Sequence, residues 1–228
     1  MFDFDISGKK VVDLSHKVVS DMPADPSLKL PTLEFFSRVG GEDGAQLHNI
    51  EVISYCPHTG THMDAPHHVS NEWGDLSTVN PTILIGPARV VTLDIPQYDY
   101  AITVADLQSW EEIHGAIEKG QGVLLHTGQA ERWDKGFDEF IGKGFVYLSV
   151  EAAKYLASKQ VRYVGIEAIG VDSEGTEAHQ ALLGNDVTVI ENICNLDKIA
   201  DDQCFTIGTF PNAQGATGAW IRLLAICD

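Results

Sequence analysis

The sequence has little positive charge. Of its 228 residues, 15 are lysine or arginine and 33 are aspartate or glutamate, which gives a formal net charge of −18. Such an acidic surface repels phosphate backbones and anionic lipid headgroups, so the sequence disfavours nucleic-acid and membrane partners. The expected partner is a small-molecule substrate, which acidity alone does not identify.

Cysteine is sparse, and long hydrophobic runs are missing. The four cysteines are scattered and form no C-x-x-C pair, which indicates reduced thiols in a cytoplasm. No apolar stretch approaches the roughly 20 residues of a membrane helix. Residues 1–5 lack the basic start of a signal peptide. We therefore expect a cytoplasmic protein.

Several enzyme motifs are also missing. The sequence contains neither G-x-G-x-x-G nor G-x-x-x-x-G-K, and it has no G-x-S-x-G elbow. These absences argue against a phosphate loop and against a serine hydrolase of the elbow type. Cys56 lies close to His58, but the intervening Pro57 disfavours a cysteine–histidine nucleophile.

Length and composition predict one α/β domain that spans residues 1–228. With 44% hydrophobic residues, the chain can bury a core without disulfides. Two helices are predicted, at residues 103–118 and 149–159, and each opens with a hydroxyl residue that can cap it. Strands are predicted at residues 11–14, 50–53, 88–93, 122–125, 163–166 and 221–226. Several of these runs are almost continuously apolar, which favours a mixed sheet with flanking helices.

Residues 58–68 are rich in metal-binding side chains. In an extended chain, side chains alternate between two faces, so even-numbered residues share one face. The residues on that face are His58, His62, Asp64 and His68. His67 has the other parity and is predicted to be a surface residue. Full extension would separate the Cα atoms of His58 and His62 by roughly 13 Å, so we expect a bend at Gly60.

This combination of side chains suits hydrolytic metal chemistry. Neutral imidazoles with a carboxylate bind Zn²⁺, Mn²⁺ or Fe²⁺, and three protein ligands leave positions open for water. The ion acidifies such a water enough to supply hydroxide near neutral pH. His68 lies beyond Pro66 and is available as a proton carrier. A metal buffer or a structural zinc module is the alternative that lacks catalysis.

The motif H-x-G-x-H-x-D-x-P-x-H resembles that of the cyclase-like superfamily of metal-dependent hydrolases, which includes bacterial kynurenine formamidase and isatin hydrolase. Residues 58–68 match it at every fixed position. The resemblance implies that His58, His62 and Asp64 bind metal and that His68 transfers a proton. It also implies a swivelling β/β/α fold and a homodimer or higher homo-oligomer.

A second stretch resembles the formamidase branch of this superfamily. His179 is followed by paired leucines and, twelve residues later, by Glu191 and Asn192. The resemblance implies that His179 and Glu191 complete a second metal position, with Asp64 as the bridge. We therefore expect one or two ions of zinc or manganese per chain.

The substrate side is less well defined. Met22 and Pro23 resemble the family's substrate-side loop, and Trp73 is a candidate to wall the pocket. His126 stands where many relatives have an arginine, which puts any role of that arginine in doubt. The implied reaction is hydrolysis of an amide-type C–N bond in an aryl formamide or a cyclic amide. A different ring or an ester substrate remains an alternative.

Overall fold

A computed structural model describes residues 6–41 and 46–228. The expectation about residues 1–5 lies outside the described residues. The strands in the described ranges are β1 (Lys10–Asp13), β2 (Thr32–Ser37), β3 (Ile50–Ser54), β4 (His62–Asp64), β5 (Gly86–Thr92), β6 (Tyr100–Ile102), β7 (Gly122–His126), β8 (Val146–Leu148), β9 (Tyr163–Ile166), β10 (Thr188–Glu191), β11 (Gln203–Thr209), β12 (Gly218–Trp220) and β13 (Arg222–Cys227). The α-helices there are α1 (Val104–His114), α2 (Val150–Ser158) and α3 (Glu177–Leu183).

A nine-stranded mixed sheet forms the centre of the fold. Its order is β1-β13-β11-β5-β7-β9-β10-β4-β12. The strands β5, β7, β9 and β10 run parallel, whereas the outer strands are antiparallel to their neighbours. β2 pairs with β3, and β6 pairs with β8, in two small separate sheets. The predicted α/β class with a mixed sheet is confirmed.

Both faces of the central sheet are buried. In β7, Val123 and Leu125 pack in a hydrophobic cluster that includes residues of all three helices, whereas Leu124 packs in a second cluster with residues of β1 and β13. Successive side chains of a strand point to opposite faces, so an apolar run in β7 serves two cores at once.

The two predicted helices form, with one end corrected. Thr103 and Asp106 make a capping box at the start of α1, and the Ser149 hydroxyl accepts a hydrogen bond from Ala152 N at the start of α2. The prediction that the first helix reaches residue 118 is wrong, because Gly115 adopts a φ of 88° and ends it. No helix in the described ranges is long and apolar enough to cross a membrane.

The hairpin of β2 and β3 stands apart from the core. All five residues of β3 are exposed, and so are the first five residues of β2. Leu33 is 56% exposed and Phe36 is 80% exposed. The apolar run at residues 50–53 is therefore a strand, as predicted, but no other described part of the chain packs over it.

Candidate metal centre

Two adjacent strands at one side of the sheet carry the central acidic and imidazole groups. In β4, Met63 points into the hydrophobic core, so His62 and Asp64 face the opposite side. His62 is paired with Glu191 of the neighbouring antiparallel strand β10. Backbone pairing thus brings together residues from the two sequence motifs.

A turn at Gly60 folds His58 back towards this group. Gly60 has a φ of 65°, and a side chain there would contact Met22, so glycine suits the position on both counts. His58 Nδ1 lies 2.8 Å from Asp64 Oδ1. The predicted bend is confirmed. The predicted extended face holds only for His62 and Asp64, because Pro66–His68 form a 3₁₀ turn.

The short helix α3 supplies His179. Asp172 holds the start of this helix, because its carboxylate accepts hydrogen bonds from Ala178 N at 2.7 Å and His179 N at 3.0 Å. His179 Nε2 then lies 3.4 Å from Asp64 Oδ2 and 3.1 Å from Glu191 Oε1. His62 Nε2 lies 3.5 Å from Asp64 Oδ1 and 3.3 Å from Glu191 Oε2. The five predicted ligand residues therefore converge on one point.

Each of the three histidines is also fixed through its other ring nitrogen. His58 Nε2 lies 2.8 Å from Thr217 Oγ1, and His62 Nδ1 lies 2.8 Å from the carbonyl oxygen of Gly60. His179 Nδ1 lies 2.7 Å from Asp172 Oδ2. A carbonyl oxygen and a carboxylate oxygen only accept hydrogen bonds, so the Nδ1–H groups of His62 and His179 are the donors. Their Nε2 atoms therefore point into the cluster. Such outer contacts orient the imidazoles of metal sites.

The inward atoms of the cluster fit a divalent cation. Among the described residues, these atoms are buried, face one another as ion pairs and make no well-aligned hydrogen bond: His58 Nδ1, His62 Nε2, both carboxylate oxygens of Asp64, and His179 Nε2. Buried polar atoms without partners are costly in a folded protein. Here they converge, and imidazole and carboxylate donors together match Zn²⁺ or Mn²⁺. Two compact groups share Asp64: His58 and His68 complete one of them, and His62 and Glu191 complete the other.

The electrostatics of the cluster are compatible with a bound cation. Burial opposes charge on His62, but the Asp64 and Glu191 carboxylates outweigh it and raise its pKa to about 10. Burial likewise opposes charge on Asp64, yet the surrounding imidazoles hold its pKa well below the usual range. Without a metal, protons on the histidines balance the buried carboxylates. A divalent ion replaces those protons when it binds.

His68 and His67 have different environments although they are adjacent. The His68 ring stacks on His58 with a centroid distance of 3.9 Å and is 5.5 Å from the His179 ring. Desolvation by its neighbours lowers the pKa of His68, and Asp64 opposes this shift. His67 is partly buried, and its backbone N donates to Gly74 O at 2.9 Å. His67 belongs to neither ligand group found among the described residues.

The predicted substrate residues separate in space. Met22 and Pro23 are buried, and Met22 lies against the Gly60 turn, next to the metal cluster. Trp73 instead packs against Gly184 and lines a cavity of about 620 Å³, whose described lining residues include none of the five candidate ligands. The role of Trp73 as a pocket wall therefore stays a prediction without a supporting contact.

Sequence reasoning missed the residues that hold the ligands in place. Thr217, the Gly60 carbonyl and Asp172 carry the outer hydrogen bonds. Trp220 Nε1 donates to Thr59 O at 2.5 Å. Thr59 lies in residues 58–61, the ligand loop that precedes β4. Asp172 offered no cap signal in the sequence, because it lies four residues ahead of the N-cap Thr176 and reaches the helix start only in the folded chain. Thr217 and Trp220 offered none, because they meet the loop only through the pairing of β12 with β4.

A second group of titratable residues lines a larger cavity, of about 1140 Å³. His126 Nε2 lies 4.0 Å from Glu167 Oε1, and Thr127 donates two hydrogen bonds to Glu167 Oε2. Burial raises the pKa of Glu167. His16 stacks on Trp133 in the same cavity, and burial lowers its pKa to about 4. His126 thus pairs with a buried carboxylate.

The fold and the histidine–carboxylate cluster together define a class of metal-site proteins, and comparison with known proteins gives the family. The chain belongs to the Cyclase family, whose profile matches residues 12–173. The family membership expected from the two motifs is confirmed.

Individual relatives agree with this assignment. The chain is 30% identical over 156 residues to kynurenine formamidase of Bacillus cytotoxicus, which covers 67% of this chain and 68% of that protein. It is 28% identical over 195 residues to isatin hydrolase of Roseibium aggregatum, covering 74% and 71%. Isatin hydrolase A from Ralstonia solanacearum has a similar fold, with a TM-score of 0.86 at 24% identity and coverage of 97% and 93%.

Proposed function

We propose that the protein is a metal-dependent hydrolase that cleaves an amide-type C–N bond in a small aryl formamide or cyclic amide. The convergence of buried, unpartnered nitrogen and oxygen atoms at Asp64 carries this proposal. The names of the relatives support the substrate class, because kynurenine formamidase and isatin hydrolase both act on C–N bonds outside peptides.

The ligand residues would be His58, His62, Asp64, His179 and Glu191. Two ion positions with Asp64 common to both are supported by two groups of ligand atoms, one of His58, Asp64 and His68 and one of His62, Asp64 and Glu191. His179 is placed with them by its Nε2, which lies 3.4 Å from Asp64 Oδ2 and 3.1 Å from Glu191 Oε1. Zinc and manganese both suit this donor set. A bound ion supplies Lewis acidity towards a carbonyl oxygen and makes a water more acidic.

The remaining steps belong to side chains of this chain. His68 carries a proton to the departing nitrogen, because its ring lies against His58 at the edge of the cluster and is itself partly open to solvent. The lowered pKa leaves His68 neutral near pH 7 and ready to accept that proton. Met22 and Pro23, beside the Gly60 turn, would contact the substrate, and Trp73 is a more remote candidate.

The decisive experiment combines metal analysis with a substrate panel. Purified protein is reconstituted with Zn²⁺ or Mn²⁺, its metal content is measured by mass spectrometry, and it is assayed on formylkynurenine, isatin, a hydantoin-like imide and a simple lactone. We expect one or two ions per chain and turnover of a formamide or cyclic amide that a chelator abolishes. Bound metal without turnover of any substrate would instead make the chain a metal-binding protein.

We also propose that the chain forms a homodimer or higher homo-oligomer in the cytoplasm and acts on small molecules, with no nucleic-acid or membrane partner. The exposed apolar hairpin of β2 and β3 supports self-association. The four free cysteines and the net charge of −18 support the location and the partner class. Size-exclusion chromatography with light scattering tests the assembly, and a monomer at micromolar concentration would contradict it.

A further inference from the structure

Asn192 occupies an unusual position directly after the ligand Glu191. It adopts a left-handed φ of 56° and is 2% exposed. Its backbone N donates to Ala168 O at 2.9 Å, outside the pairing of β10 with β4. The left-handed turn therefore ends β10 at the ligand and places the Asn192 side chain beside the ligand loop.

The Asn192 amide contacts the same carbonyl that orients His62. Asn192 Nδ2 donates to Gly60 O at 3.1 Å, and His62 Nδ1 donates to the same oxygen at 2.8 Å. A carbonyl has two lone pairs and accepts both. The amide has only one usable orientation, because its own oxygen would repel the Gly60 oxygen.

Thr61 makes a second hydrogen bond between the two segments, and here the donor is on the Gly60–Thr61 side. Its hydroxyl donates to Asn192 O at 2.5 Å and accepts from His16 N at 2.8 Å. Together with the amide contact, two hydrogen bonds join residues 60 and 61 to Asn192, which is more than 130 residues away in sequence. Thr61 is 3% exposed, so water cannot readily replace these contacts.

We propose that Asn192 is a positioning residue for the metal centre: through the Gly60 carbonyl it fixes the Nδ1–H bond of His62, and with Thr61 it fixes His62 relative to Glu191. This inference rests on the proposed metal site. Outer hydrogen bonds of this kind are worth about 10- to 100-fold in metal affinity. Asn192 touches neither ligand atoms nor reacting atoms and has no direct part in the chemistry.

The test compares Asn192→Gly with Asn195→Gly. Asn195 is a matched control, because it also has a left-handed φ, of 62°, and its Nδ2 also donates to a backbone carbonyl, that of Asp13, at 2.7 Å. Glycine adopts this backbone conformation freely, so both variants keep the turn. Asn192→Gly loses a buried amide, and Asn195→Gly loses a partly buried one that also accepts a hydrogen bond from Lys198 Nζ. Zinc affinity is measured by chelator competition without substrate, beside the thermal unfolding of the metal-free proteins.

We expect Asn192→Gly to weaken zinc binding about 10- to 100-fold while Asn195→Gly stays within about twofold of the unmodified protein. Thr61→Val should reproduce part of the loss, and Thr61→Ser, which keeps the hydroxyl, should restore it. Equal affinities for the Asn192 and Asn195 variants, or losses that only follow their unfolding temperatures, would overturn the inference.

A second measurement separates this inference from the proposed function. In metal-free protein labelled with ¹⁵N-histidine, the Nδ1 proton of His62 should exchange with solvent more slowly than in Asn192→Gly. An unchanged exchange rate contradicts positioning, whatever the enzyme hydrolyses. Conversely, tight zinc binding that depends on Asn192, with no turnover on the substrate panel, leaves the positioning role intact and contradicts the proposed hydrolase.

Discussion

Within residues 6–41 and 46–228, the carboxylates of Asp64 and Glu167 are both buried beside histidines, but of these two only Asp64 has the geometry of a metal site. Glu167 is 2% exposed, but Thr127 N and Oγ1 occupy one of its oxygens and His126 is 4.0 Å from the other. Asp64 is fully buried, and among the described residues its oxygens face only three imidazole nitrogens, at 2.8 to 3.5 Å, without a well-aligned hydrogen bond.

The direction in which buried polar atoms point therefore identifies a metal site better than the presence of buried charge does. Both groups have shifted pKa values and both lie where strands end, so a search for perturbed residues alone would select both. The Glu167 carboxylate accepts hydrogen bonds from Thr127, and these bonds stabilise the turn after β7. Around Asp64, the outer ring nitrogens of the three histidines are in contact with other protein groups, whereas their inner nitrogens point at the carboxylate, where a metal ion can bind.

The largest contrast is expected between Asp64→Asn and Glu167→Gln. Asp64 is the carboxylate common to both ligand groups, so its loss should weaken metal binding by more than the about 100-fold upper range of outer-contact changes and abolish turnover. Glu167→Gln keeps an oxygen for Thr127 and should bind metal normally, at a cost of about 1 to 2 kcal/mol in the free energy of unfolding. Chelator competition and chemical denaturation measure the two effects. Similar metal affinities for both variants would contradict the assignment of Asp64 as a metal ligand and of Glu167 as a structural carboxylate.

A smaller contrast lies inside the metal region, between the adjacent residues His68 and His67. We expect His68→Ala to retain metal and to lose about 10²- to 10⁴-fold in kcat, the usual value of a positioned acid or base. His67→Ala should retain both metal and most of the rate, since His67 belongs to neither ligand group among the described residues, whereas His68 belongs to the group of His58 and Asp64. Metal content and kcat are measured on the same preparations. Loss of metal from the His68 variant would make His68 a ligand.

The smallest effect is expected for His126→Arg, which introduces the arginine that the family resemblance implies at this position. Arginine can pair with Glu167 across the cavity, so we expect zinc affinity to stay within about twofold, like other changes remote from the ligands. The unfolding midpoint should change by only a few degrees. Calorimetry and chelator competition check this variant. A strong change in zinc affinity would show that the two regions are energetically coupled.

The sequence predicted elements whose signals are local. The capping residues Thr103 and Ser149 and the glycine bend at Gly60 are set by neighbouring residues, and all three appear in the structure. The helix end was misplaced because residues 115–118 contain helix-compatible types after a glycine. The burial of β3 was beyond prediction, because an apolar run does not reveal whether another surface covers it.

The candidate site shows the same division. Residues 58–68 could be selected by composition, whereas His179 and Glu191 were selected only by resemblance to a family. Their proximity to Asp64 depends on strand order, which a single sequence does not contain. The outer contacts from Thr217 and Asn192 depend further on backbone geometry of a few tenths of an ångström. Local chemistry can therefore be anticipated, but its orientation is a property of the finished fold.

The short strand β4 has a consequence for how the protein matures. It has only three residues, and it is held between β10 and β12, which arrive more than a hundred residues later in synthesis. A complete ligand set thus exists only after β10 has been synthesised and has paired with β4. An ion at a thousand times its Kd would then add about 4.1 kcal/mol to the stability of the native state.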